Sequence, residues 1–329
     1  MSVVVRRGGF VESRHAVACA VVDAGGDLLG HWGDVEAPVF PRSAVKMLQS
    51  LPLLETGAAD GCGCDDAELA LACASHGGEP DHIATLLPWL ARIECGQDDL
   101  ACGPHWPMND AAARALAAAG EVPARWHNNC SGEHAGMLAT ARHLGEPIAG
   151  YVNPSHPVQR RIHAALGAMC GVDMAAMPHG IDGCSAPAIA LPLQAVALGL
   201  ARFGAPAGLD SSRAAACRRL AKAMAAEPFM VAGTGRFCTA VNEAAGGRVL
   251  VKTGAEGVFA ACVPARGLGI AVKALDGGGR AAQVALMALL DRLDLVDDRL
   301  RRVVAAVTNP VLSNWAGLAV GGIAVEPSF

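Results

Sequence analysis

The chain has 329 residues, of which 52% are hydrophobic and 17% charged, and its 26 Lys and Arg against 31 Asp and Glu leave a net charge of −5. That length and apolar content suit a single domain spanning residues 1–329 around a substantial core, and they exclude wholesale disorder. No block of Lys or Arg offers a counter-surface to a phosphate backbone or an anionic membrane, so neither nucleic acid nor membrane is expected as a partner.

Met1 to Arg7 reads as a strand and lacks the long apolar region of a secretory signal, which makes a cytoplasmic location the expectation. Val3–Arg6, Ala16–Val22 and Leu28–Trp32 have strand composition, and Gly25-Gly26 reads as the turn of a hairpin. Helical spacing then dominates from residue 42 to about 226: Ser43–Leu54, Asp66–Ala74, Asp81–Ile93, Asp110–Ala119, Gly132–His143, Pro157–Met169, Leu193–Arg202 and Ser211–Ala226. In the Pro157 helix, Ser155 suits the cap, and Val158, Ile162, Leu166 and Met169 form the stripe. Strands return at Val249–Lys252, Val258–Val263 and Leu268–Ala274, followed by a helix, Ala281–Leu293, and a strand near Gly322–Glu326. The order implies an α+β fold, with an antiparallel sheet from the N- and C-terminal strands and the central helices covering one side. The most apolar region, Ala186–Leu200, is interrupted by Pro192 and Gln194 and falls short of the roughly 20 residues of a membrane span.

Phe40-Pro41-Arg42-Ser43-Ala44-Val45-Lys46 places a hydroxyl and an amine one helical turn apart. With Met47, Leu48 and Leu51 burying that face, desolvation and the nearby Arg42 would lower the lysine's pKa, so that a neutral amine takes the Ser43 proton. That is the chemistry of an S-x-x-K acyl-transfer enzyme. Taken alone, the spacing is common by chance and more often marks a capping serine and a surface lysine. Ser75-His76-Gly77-Gly78 ends an apolar helix, which puts Ser75 at the mouth of a cleft or leaves His76 at the negative end of the dipole. Asn128-Asn129-Cys130-Ser131-Gly132-Glu133 opens an amphipathic helix carrying Met137, Leu138 and Ala141, where Asn128 or Asn129 can cap and a thiol pKa falls. In Asp182-Gly183-Cys184 an extended backbone would point carboxylate and thiol the same way. Cys130 and Cys184 with a carboxylate or His and one water can form an open zinc site. Lys252-Thr253-Gly254 matches the K-T-G element of S-x-x-K enzymes. Most of the twelve cysteines stand alone among apolar residues, and Cys62-Gly63-Cys64 lacks the second pair a metal knuckle needs.

With these segments in order, together with Val11-Glu12-Ser13 and Ala255-Glu256-Gly257, the chain resembles the rhizobial-type L-asparaginases over nearly its whole length. The resemblance implies a fold like that of serine β-lactamases and serine-dependent glutaminases, a homodimer, and hydrolysis of L-asparagine to aspartate and ammonia through a seryl ester. It implies Ser43 as nucleophile, Lys46 as base, Ser75 as second active-site serine, and Arg42, Asp182 and Lys252 around the substrate. Arg42 would then hold the α-carboxylate and Asp182 the α-ammonium. It also implies zinc at Cys130 and Cys184, completed in the family by a lysine and water and not required for the bond-breaking step. This chain departs there, carrying Glu133 in place of that lysine and Ser185 where a glycine usually follows the second cysteine. Two thiolates and a carboxylate would hold zinc with one negative charge in excess and make the cleft less inviting to the α-carboxylate. A glutaminase, and an amino-acid-binding protein without turnover, are the alternative functions.

Overall fold

The computed structural model describes residues 1–308 and 310–326. Among these, eight antiparallel strands form the main sheet, in the spatial order Val311–Ser313, Ala319–Val325, Ser2–Arg7, Phe10–Asp23, Leu268–Ala274, Val258–Val263 and Leu250–Thr253, with Leu28–Trp32 also on Phe10–Asp23. N-terminal and C-terminal strands thus share one sheet, as their composition and order imply. The 14-residue strand Phe10–Asp23 joins its two halves. Its first part pairs with Ser2–Arg7 and its second, from Val17, with Leu268–Ala274.

Alternation along that strand separates two cores. Ala18, Ala20 and Val22 face the central helices, and Val17, Cys19 and Val21 face the opposite way. The second face, for which the chain order suggested no cover, is closed by the helices Gly279–Arg292 and Phe237–Ala245, whose Leu286, Leu290, Phe237 and Val241 enter that core.

Most central helices fall where the spacing places them, with ends shifted by a residue or two. The segment 43–54 is different: a 3-10 turn, Arg42–Val45, and two short helices, Lys46–Gln49 and Leu51–Glu55, replace one continuous helix. Ser50 sits at the break, its hydroxyl donating to the Lys46 and Ala72 carbonyls, and Pro52 starts the next piece. The helix Ser131–His143 is not amphipathic but buried on every side from Ser131 to Ala141. Its small residues allow this, because a Cβ on Gly132 would lie 2.3 Å from the Leu71 carbonyl oxygen of the neighbouring helix Asp66–Ala72. His156, not Ser155, caps the helix Pro157–Cys170, accepting from the Val158 amide. Among the described residues no helix is long and apolar enough to cross a membrane.

Candidate active site

Ser43 lies in the 3-10 turn that follows Pro41 and opens onto a cleft of about 440 Å³ shared with Ser75, Arg42, Cys130, Asp182 and Cys184. The turn is strained: Arg42 has φ +51°, a conformation that costs a side-chain-bearing residue roughly 1–3 kcal/mol and gathers at functional sites. Gly254 fits against it, since a Cβ there would fall 2.3 Å from the Pro41 carbonyl oxygen. The K-T-G glycine therefore brings the strand Leu250–Thr253 up to the serine turn. On that strand Leu250 faces the helical core and Val251 the opposite one, so Lys252 projects toward the site.

Ser75 follows the helix Asp66–Ala72 in a stretch fixed on three sides. The Ser75 amide donates to the Val231 carbonyl (3.0 Å), the His76 amide to that of Asn129 (3.1 Å), and Lys46 Nζ to that of Ala74 (2.7 Å). Lys252 Nζ donates to Ser75 Oγ at 2.8 Å. The serine and lysine in direct contact are thus Ser75 and Lys252.

The two lysines are both buried, with 2% and 0% of their surface exposed. Burial disfavours the charge on Lys46, but the Cys130, Glu133 and Cys184 groups around it more than restore it and hold its pKa above the usual lysine range. Glu133 Oε2 lies 3.0 Å from its Nζ. The expectation that burial and Arg42 would lower the Lys46 pKa meets an opposing contact, the ion pair with Glu133, and the direction of the shift is upward. Lys252 has no such partner. Burial, and then the charge of Lys46, push it down to about 7.

Cys130, Glu133 and Cys184 come together, their ligand atoms all within 4.8 Å of one another. Cys130 stands just before the helix Ser131–His143, Glu133 is one turn in, and Cys184 arrives from the turn between the short paired strands His179–Ile181 and Pro187–Ile189. That segment is a hairpin turn, not an extended run, with the Ser185 amide donating to the Asp182 carbonyl. Ser185 takes φ +75°, so the glycine of the resembling family belongs there by conformation. Cys130 Sγ donates to Asn129 Oδ1 at 3.3 Å, and the neighbouring Cys184 and then the Lys46 charge draw its thiol pKa down against burial.

Arg42 and Asp182, assigned to opposite ends of the substrate, hold each other. Arg42 Nη2 donates to Asp182 Oδ1 at 3.1 Å and Nε to Oδ2. Burial raises the Asp182 carboxyl, but the bonded Arg42 and the Lys46 charge overcome this and keep it below the usual carboxylate range. Sequence reasoning missed the cleft's other guanidinium, Arg236, which precedes the helix Phe237–Ala245 and contacts Met108 Sδ at 3.9 Å. Its only signal is a position before an apolar helical run, which any polar residue would share.

Two local expectations change. His76 is fully buried and its pKa lies well below the usual value, first by burial and then by the charges of His82 and Lys46, so it is neutral and gives nothing to a helix dipole. Its Nε2 lies 2.9 Å from Ser131 Oγ. Neither asparagine occupies the cap, which is Cys130; Asn128 Oδ1 instead accepts from the Cys130 amide at 2.9 Å.

The chain aligns with a β-lactamase from Mycobacterium bovis at 14% identity and a TM-score of 0.44, over 85% of this chain and 96% of that one. No curated protein matches it. The family described as L-asparaginase II matches residues 3–325, nearly the full length and every segment of the site above. The chain belongs to the L-asparaginase II family of amide hydrolases.

Proposed function

We propose that the chain hydrolyses the side-chain amide of L-asparagine through a seryl ester, with Ser43 as nucleophile and the Ser75–Lys252 pair as its proton acceptor. The observation that carries this reading is the 2.8 Å contact between Ser75 Oγ and a lysine held near neutrality, on the cleft that Ser43 also lines. Ser43 gives its proton through Ser75 to Lys252 and attacks the amide carbon, and the same route returns the proton to the departing ammonia. Water then releases aspartate by the reverse relay. Lys46 stays charged and acts by position, holding the Ala74 carbonyl next to Ser75. The direct contact with Lys252 supports a second reading, in which Ser75 itself attacks. A diazoketone analogue of the substrate separates the two: peptide mapping finds the adduct on Ser43 in the first case and on Ser75 in the second.

Arg236 is placed to take the α-carboxylate, since Arg42 is bound to Asp182, while Asp182 retains lone pairs for the α-ammonium. A cleft of about 440 Å³ also admits glutamine, whose extra methylene is worth only about 1–3 kcal/mol of discrimination. Ammonia release with asparagine, glutamine and buffer alone tests the assignment. Asparagine should be preferred, and release no faster than in buffer would make the chain an amino-acid-binding protein. The resembling family forms homodimers, and we propose the same state here, to be read from sedimentation.

The trio Cys130, Glu133 and Cys184 fits zinc by donor chemistry, and with Lys46 it lines an inner cavity of about 30 Å³. When bound, zinc would supply positive charge that fixes the thiolates and the hairpin turn that carries Asp182. The excess negative charge expected of this ligand set is balanced by the Lys46 ammonium beside Glu133, so it need not repel the substrate's carboxylate. Metal analysis of purified protein, of Glu133→Lys and of Cys130→Ala tests the site. Zinc in the native protein is expected, with retention in Glu133→Lys, which restores the family's lysine, and loss in Cys130→Ala, which removes a thiolate of the trio.

A further inference from the structure

Away from the cleft, Cys62-Gly63-Cys64 forms the turn between the helices Ala58–Gly61 and Asp66–Ala72. Gly63 takes φ +65°, and the turn brings the two Sγ atoms to 3.2 Å. The backbone is fixed at each residue. The amides of Cys62, Gly63 and Cys64 donate to the carbonyls of Ala58 (3.0 Å), Asp60 (3.1 Å) and Ala59 (2.8 Å). From outside the turn, Arg92 Nε donates to the Cys62 carbonyl (2.7 Å) and Arg219 Nη2 to that of Cys64 (3.2 Å). Two thiols are therefore held face to face before any bond forms between them.

Their surroundings divide the roles. Cys62 is half-buried, and Cys64 is 7% exposed. The two Sγ atoms share a hydrogen bond in which either can donate, and the Arg92 charge beside the turn favours the thiolate at the more exposed Cys62. Burial instead pushes Cys19, Cys73, Cys170, Cys217 and Cys262 up to about 12. Outside the cleft, the turn thus pairs a reachable nucleophilic thiol with a second thiol in bonding reach.

We propose that Cys62 and Cys64 form a thiol–disulfide exchange site that takes low-molecular-weight disulfides. The Cys62 thiolate attacks one sulfur of RSSR, forming a mixed disulfide and releasing RS⁻. Cys64 loses its proton and attacks Cys62 Sγ, closing the Cys62–Cys64 bond and expelling a second RS⁻. The protein gives up two electrons and two protons, and two RSH carry them away. A ring closed across one intervening residue is strained, which makes the bond easy to reopen by a dithiol.

The test exposes the full-length reduced protein to graded ratios of oxidised to reduced glutathione, followed by acid quenching, alkylation under denaturing conditions and peptide mapping. The wild-type peptide carrying residues 62 and 64 should lose two hydrogens and accept no alkyl group at ratios that leave the buried cysteines alkylated. Cys64→Ser should stop at a glutathione adduct on Cys62, and Cys62→Ser should give neither product. The proposal is overturned if both wild-type thiols remain alkylatable at the most oxidising ratio, or if folded Cys64→Ser takes up no glutathione.

Discussion

Lys46 and Lys252 are two buried lysines of one site whose pKa values are shifted in opposite directions. Lys46, from the helical side, meets a carboxylate and two thiols; Lys252, from the sheet, meets a serine hydroxyl and a backbone carbonyl. Desolvation acts on both, so the partners decide. The charge of the first also helps lower the pKa of the second. Acid–base roles in such a site follow from environments that push like groups apart, not from which lysine stands nearer the nucleophile in sequence.

Replacing each lysine is the sharpest way to break that contrast. Lys252→Met should lower kcat by roughly 10²–10⁴-fold and leave the protein folded, because it removes the proposed base and buries no unpaired charge. In the wild type, activity should fall as pH drops through about 7, where Lys252 takes up the proton that it must lack to act. A profile flat from pH 6 to 9 would remove Lys252 from the role. Lys46→Met should instead act on stability. It strands the buried Glu133 and should cost roughly 3–5 kcal/mol in denaturant unfolding, most of it recovered when Glu133→Gln is added. Equal losses in the single and double variants would mean that the ion pair does not hold the charge there.

Smaller effects sharpen the picture at the rim. Arg236→Ala should raise KM for asparagine by about 10- to 100-fold with little change in kcat, the size of a lost charge-assisted hydrogen bond to substrate. An unchanged KM would return the carboxylate to Arg42. Ser185→Gly relieves a left-handed residue and should stabilise the fold by about 1 kcal/mol, seen as a higher denaturant midpoint at constant slope.

Much of this site was legible in the sequence because its residues lie in short motifs whose order is itself informative. Arg42, Ser43, Lys46, Ser75, Cys130, Glu133, Asp182, Cys184 and Lys252 all meet around one cleft or the cavity behind it. The strand–helix–strand order likewise gave the shared sheet. Protonation was not legible, since it depends on which groups pack against each amine, and Glu133 reaches Lys46 from a helix almost ninety residues later in the chain. The helix Phe237–Ala245 passed unnoticed as well, though it covers the second sheet face; its nine residues offer little more than two helical turns of pattern. The break at Ser50 depends on a hydroxyl bonding the Ala72 carbonyl, a tertiary contact that local spacing does not encode.

Gly132 and Gly254 bring no reactive group to the cleft, yet at each an added Cβ would fall 2.3 Å from a neighbouring carbonyl oxygen, so only glycine lets the backbones meet. One lets the helix of the thiol–carboxylate trio settle on the helix that leads to Ser75. The other lets the strand of Lys252 meet the turn of Ser43. A saturation library selected for turnover should therefore be as intolerant at these two positions as at the serines, and even alanine, the mildest replacement elsewhere, should be depleted there.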